Sequence, residues 1–139
     1  LGESLAFHQA IGAERKAARL RYLNMRWVNA LKVHPRIKVL TETSEPPQAW
    51  GVMAVYIEGI DVRALATFLR NNYRIICVPL VGGAPPNSVF DYQALRISPN
   101  VYTTLEEIDT FVEAMEEAVK EGVPDAPDPV PAYPADVTV

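Results

Sequence analysis

Arg96 is the residue whose placement asks most of its surroundings. In the run Ala94-Leu95-Arg96-Ile97-Ser98 it stands between apolar neighbours, in a stretch that reads as a short strand. A guanidinium aimed inward from such a strand has to meet an anion, because burying it unpaired is strongly unfavourable. Its planar fork matches a carboxylate at two points, which a lysine ammonium does not. Two kinds of anion fit: an internal acid, for instance Asp91 or Glu58, or the carboxylate of a ligand. The residues alone leave both open.

Other reactive side chains offer less. Cys77 lies within Ile75-Ile76-Cys77-Val78, where apolar surroundings disfavour the thiolate, so it reads as packing rather than as a nucleophile. With one Cys in the whole chain there is no internal disulfide and no multi-Cys zinc site. His8 and His34 have no Cys, Asp or Glu at metal-ligand spacing, and no metal is expected. Gly82-Gly83 lacks the Lys and Ser/Thr of a phosphate-binding loop, and no helix follows directly.

The elements that must position these groups are legible from periodicity. Leu5, His8 and Ile11 share a helix face before Gly12 interrupts. Leu20, Leu23, Trp27 and Leu31 then recur at three- and four-residue steps, a buried helical stripe amid Arg15, Lys16, Arg19, Arg21, Arg26 and Lys32. Pro35 ends that helix, and residues 37–40 read as a strand. After a Pro-containing loop, residues 50–57 read as a second strand. Asp61 is placed to cap a helix carrying Val62, Leu65, Ala66 and Leu69 and ending near Asn71-Asn72. Residues 74–78 read as a strand whose Ile75, Ile76 and Val78 are too apolar to face water on either side. Residues 79–92 form a turn-rich loop, expected to be mobile, before the Arg96 strand. Thr104 and Glu107 make a capping box, followed by Leu105, Ile108, Phe111, Val112, Met115 and Val119 on one face until Gly122. Helix, strand, strand, helix, strand, strand, helix predicts an α+β fold: a mostly antiparallel sheet of about four strands with helices packed on one face.

Composition bounds the rest. A chain of 139 residues, 49% hydrophobic and 22% charged, makes one ordinary domain. Its net charge of −4 argues against nucleic acid as a partner. No apolar run approaches the ~20 residues that span a bilayer, so no membrane role is expected. Charge is asymmetric: residues 1–104 hold 12 basic and 7 acidic side chains, whereas residues 105–139 set Lys120 against 10 acids. The chain opens on Leu1 without a Met or a signal-peptide pattern, and something upstream is expected.

The run Leu95-Arg96-Ile97-Ser98-Pro99-Asn100-Val101-Tyr102-Thr103-Thr104-Leu105-Glu106-Glu107-Ile108-Asp109 resembles a segment near the C-terminus of class V aminotransferases. That pyridoxal-phosphate group includes cysteine desulfurases, kynureninases and isopenicillin-N-epimerase-like proteins, the last looking most similar. Its pattern is an Arg in a strand, a turn, Tyr-Asn-Thr, then an acidic helix start with an Ile/Val-Asp pair. Phe7-His8-Gln9-Ala10-Ile11-Gly12 with the Arg-rich helix is similar to the start of the family's small domain. The resemblance implies that residues 1–121 are a C-terminal small domain; it does not reach residues 122–139, whose prolines predict an extended tail. It further implies a full-length enzyme using pyridoxal 5'-phosphate on an amino acid, as epimerase, lyase or aminotransferase. Arg96 would hold the substrate's α-carboxylate.

The family's Schiff-base lysine belongs to a large domain, and Lys16, Lys32, Lys38 and Lys120 stand in no comparable context. The chain by itself is therefore expected to hold no cofactor and to be inactive. Its expected partners are an amino-acid substrate, its own large domain and a second copy of the full-length chain, in the cytoplasm. Two departures stand out: residues 79–92 lack the reactive Cys that desulfurases carry on a mobile loop, and Thr103 replaces the Asn of Tyr-Asn-Thr. The alternatives are a stand-alone α+β module that binds a small carboxylate without catalysis, and a structural domain with Arg96 paired internally.

Overall fold

Each helix boundary has a local cause. Gly12 adopts φ +86°, a left-handed value that L side chains rarely take, and it divides the first helical stretch into α1 (Gly2–Ile11) and α2 (Ala13–Leu31). The remaining elements are β1 (Ile37–Val39), β2 (Met53–Ile57), α3 (Val62–Tyr73), β3 (Val78–Val81), β4 (Gln93–Ile97) and α4 (Leu105–Glu121). The computed structural model describes residues 2–43, 51–82 and 92–124. The tail from residue 125 onward and residues 83–91 of the loop expected over 79–92 lie outside them, while the start of that expected loop, up to Val81, is strand β3, paired with β4.

Asp61 caps α3 as its position requires, its Oδ1 accepting from the N–H groups of Arg63 at 2.8 Å and Ala64 at 3.0 Å. At the other end Arg74 takes the left-handed conformation, φ +58°, and Ile75 donates its N–H to Leu69 O at 3.1 Å. This cap moves the next strand. Residues 74–78 were expected to pair, but β3 begins only at Val78, because the chain is still closing the helix before then. Ile76 is 80% exposed and Val78 42% exposed, so their apolar character does not bury them. Pro79 sits within β3, which an edge strand tolerates because the missing N–H costs no ladder bond on its open side.

The capping box of α4 is complete. Thr104 Oγ1 accepts from Glu107 N at 3.2 Å and Glu107 Oε2 accepts from Thr104 N at 2.8 Å. Thr103 is no substitute, since its hydroxyl already accepts from Asn100 N at 3.0 Å. Thr104→Ala is therefore expected to cost about 1 kcal/mol, a fall in melting temperature of about 3–5 °C. An unmoved denaturation midpoint would show that the box contributes nothing.

All strand pairs are antiparallel, in the order β1-β2-β4-β3. Ile37, Met53, Val55, Ile57, Leu95 and Ile97 form the inner face. The helices pack on that face: Leu23, Trp27 and Leu31 of α2, Leu65 and Leu69 of α3, and Phe111 and Met115 of α4 join the same cluster. Polar ties link the layers. Arg26 of α2 grips Asp109 of α4 at two points, 2.6 and 2.8 Å, which holds the Asp109 carboxyl below the usual carboxylate range. Arg36 donates to Glu58 O at 2.9 and 3.1 Å and to Val119 O at 3.0 Å, joining the sheet to the last turn of α4. Among the described residues no helix is long and apolar enough to cross a membrane.

Candidate functional site

Sheet register decides where Arg96 points. It stands opposite Ala54 on one side and Val78 on the other. Opposed residues of an antiparallel ladder share a face, as do alternate residues along a strand. Leu95 and Ile97 face the core, so Arg96 faces away from it, with Ala54, Tyr56, Val78, Leu80 and Ala94. The sequence reading aimed this guanidinium inward; the structure places it outward and exposed. The error has a simple source: apolar neighbours at both adjacent positions leave the face of the middle residue undetermined.

The surroundings of Arg96 are apolar nonetheless. Leu40 donates its N–H to Ala54 O at 2.8 Å, which extends the cross-strand row to Leu40, Ala54, Arg96 and Val78. Leu40 and Val78 are exposed, and so are Val52 and Ile76 at the same end of the sheet. Of the two internal acids considered, Glu58 pairs with Lys38 at 3.5 Å, and Asp91 lies outside the described residues. Among the described residues no ion pair reaches Arg96. Arg96 is thus an exposed guanidinium on a sheet face that no described helix covers, and its planar fork has the geometry to meet a carboxylate at two points.

The other side chains named from sequence are not brought to it. Lys16 Nζ lies 3.4 Å from His8 Nδ1, Lys32 donates to Asn29 Oδ1 at 2.7 Å, and Lys120 lies beside Glu121 at 3.7 Å. Lys38 shares the sheet face of Arg96 but stands on β1, with β2 between. His34 Nε2 faces Glu116 at 3.5 Å. Among the described residues no group of three or more His, Cys, Asp or Glu is placed to hold a metal ion. Gly82 donates its N–H to Tyr92 O at 2.8 Å, a hairpin contact rather than a phosphate cradle; Gly83 lies outside the described residues.

Cys77 is half-buried beside a groove lined by Tyr73, Ile75, Ile97, Pro99 and Phe111. Burial pushes its thiol up to about 11. Alkylation by iodoacetamide is therefore expected to be slow at pH 8 and to rise about tenfold per pH unit towards pH 11, since only the thiolate reacts. Fast labelling at pH 7 in the folded protein would overturn this assignment.

Sequence reading missed one connection at this end of the sheet. Arg19 of α2 donates to Thr103 O at 2.8 Å and Val101 O at 3.3 Å, clamping the turn that follows β4. Carbonyl acceptors carry no residue-type signal, so Arg19 read as one more polar-face cation.

No protein-family model matches the chain, and no curated protein sequence does either. Solved structures do. A cysteine desulfurase from Thermococcus onnurineus NA1 is similar over 81% of this chain at 25% identity, with a TM-score of 0.69. The cysteine desulfurase CsdA from Escherichia coli, at 21% identity and a TM-score of 0.62, is similar over 77%. A NifS-like protein from Rickettsia africae ESF-5 shares 20% identity over 81% of the chain, with a TM-score of 0.56. The chain spans only 28%, 26% and 31% of these three structures.

Proposed function

We propose that this chain is the C-terminal small domain of a pyridoxal-phosphate enzyme acting on an amino acid, and that Arg96 takes the substrate's α-carboxylate. One observation carries the reading: an exposed guanidinium, with no ion-pair partner among the described residues, among apolar side chains near one end of a sheet face that no described helix covers. Likeness to a cysteine desulfurase of which this chain spans only 28% supports it, because such a face then has a large domain to meet. The Arg-containing strand and capped acidic helix start, 95–109 in sequence, agree with it.

The described residues do not fit the cofactor itself. Each lysine amine lies beside another side chain on a helix or on the sheet's edge strand β1, and none is next to Arg96. Pyridoxal phosphate, held elsewhere, supplies an electron sink for charge left on the substrate's Cα. This domain's share is to bind and orient. Two parallel N–H donors from Arg96 fix the carboxylate plane and so select which Cα bond is presented. The apolar row of Leu40, Ala54 and Val78 beside it offers no competing hydrogen bonds, and a large domain closing over this face would shut water out of the contact and strengthen it.

Within the family the reaction is of epimerase, lyase or aminotransferase type, with the isopenicillin-N-epimerase-like group favoured. Against persulfide-forming desulfurase chemistry stands the protonated, half-buried Cys77, in a chain whose residues 79–92 contain no other thiol. Borohydride reduction of the full-length protein, which fixes the cofactor to its lysine, tests the division of labour. The expected label lies upstream of Leu1. A stoichiometric label on Lys16, Lys32, Lys38 or Lys120 would sink the proposal.

A further inference from the structure

We infer that Arg19 is a positioning residue for Arg96: by clamping the 98–104 turn it fixes the loose end of β4 from which the Arg96 guanidinium projects. The inference rests on the assignment of Arg96 to a substrate carboxylate. Val78 opposite Arg96 is the last pair on the β3 side, and Met53 opposite Ile97 is the last on the β2 side. Arg96 therefore sits where the ladder gives out, and strand ends open more readily than strand centres.

Beyond Ile97 the chain is held by other bonds. Thr103 N donates to Asn100 O at 3.0 Å and Asn100 N to Thr103 Oγ1 at 3.0 Å, closing the turn on itself. Arg19 alone, among the hydrogen bonds described, ties that closed turn to α2, with two donors of one fork on the carbonyls of Val101 and Thr103. The helix behind it is fixed, because Leu23 and Trp27 are fully buried. The connection thus runs from a rigid helix through a rigid turn to the end of β4. A two-point grip on a carboxylate is sensitive to small displacements, so releasing the turn loosens the grip. Lysine at position 19 reaches one carbonyl only and should restore the clamp in part.

The test uses the full-length protein with its cofactor bound, titrated with L-alanine and with ethylamine, the same amine without a carboxylate, by the cofactor's visible absorbance. Arg19→Ala is expected to lower the preference for L-alanine over ethylamine about tenfold, and Arg19→Lys less. Arg96→Lys should remove most of the preference, and adding Arg19→Ala to it should lower the ratio no further, because both act through one contact. Hydrogen exchange supplies a readout apart from the cofactor: a peptide covering 95–104 should exchange faster in Arg19→Ala while peptides from α3 do not. If Arg19→Ala fails to fold, Arg19→Lys carries the same comparison. An unchanged ratio in both Arg19 variants, with Arg96→Lys collapsing it, overturns the inference and leaves the role of Arg96 standing. Independent, additive losses in the double variant overturn it as well. A ratio indifferent to Arg96→Lys removes the underlying reading and this inference with it.

Discussion

Arg96→Lys in the full-length protein should lower kcat/KM for α-amino acids by about ten- to a hundredfold while leaving the fold and the bound cofactor in place. Lysine keeps the charge but cannot reproduce two parallel N–H bonds to a carboxylate. A hydrogen bond to a charged group contributes roughly 1.5–3 kcal/mol, so losing one accounts for that range. The fall should appear in kcat as well as KM, since a rotated substrate presents the wrong Cα bond. An amine lacking the carboxylate should react poorly with the unaltered enzyme and hardly worse after the substitution. Because Arg96 is exposed on the sheet, the exchange should move stability by no more than about 0.5 kcal/mol. An internal salt bridge makes the opposite forecast: a lower melting temperature, with discrimination between amino acid and plain amine intact. Four rate measurements and two melting curves separate them.

The parts of this fold that were legible in sequence are those fixed by local chemistry. Asp61, Thr104 with Glu107, and Gly122 each satisfy or end a helix through bonds a few residues away, and each stands where its type requires. The stripe of Leu23, Trp27 and Leu31 was legible too, because helical periodicity repeats often enough to set a face. Strands of four or five residues do not repeat so often. For 74–78 an apolar run was read as a buried strand, whereas pairing starts at Val78, four residues past the left-handed cap at Arg74. For Arg96 the same shortage of alternation hid which face the side chain takes, though its value as an anion-binding group was plain from its type. What sequence could not carry were contacts whose partner is backbone. Arg36 on Glu58 O and Val119 O, and Arg19 on the 98–104 turn, join elements across the fold through acceptors that every residue offers.

Trp27→Ala should be the most damaging single change in the core, costing about 3–5 kcal/mol. Trp27 is fully buried on α2, where it meets Phe111 of α4 edge to face, the ring centroids 5.7 Å apart at 88°. Its indole Nε1 donates to Oδ1 of Asn24, 3.0 Å away and also fully buried. Truncation therefore opens a large cavity between two helices and removes a buried donor from Asn24 at once. For a domain whose whole stability is typically about 5–15 kcal/mol, that is a fifth or more of it. Trp27→Phe separates the two effects, because it keeps most of the ring contact with Phe111 and deletes the donor. Its cost should be about 1–3 kcal/mol, the penalty of the buried Asn24 Oδ1 losing this one bond. Joining it to Asn24→Leu removes the polar group as well, and the pair should recover part of that loss, since deleting both members of a buried bond is cheaper than deleting one. Urea denaturation of the 139-residue chain and its variants gives the comparison through midpoints at constant slope. A cost below about 1.5 kcal/mol for Trp27→Ala would mean that α2 does not dock on α4 through this residue. A double variant less stable than Trp27→Phe alone would mean that Asn24 serves the helix through its other contacts more than through the indole.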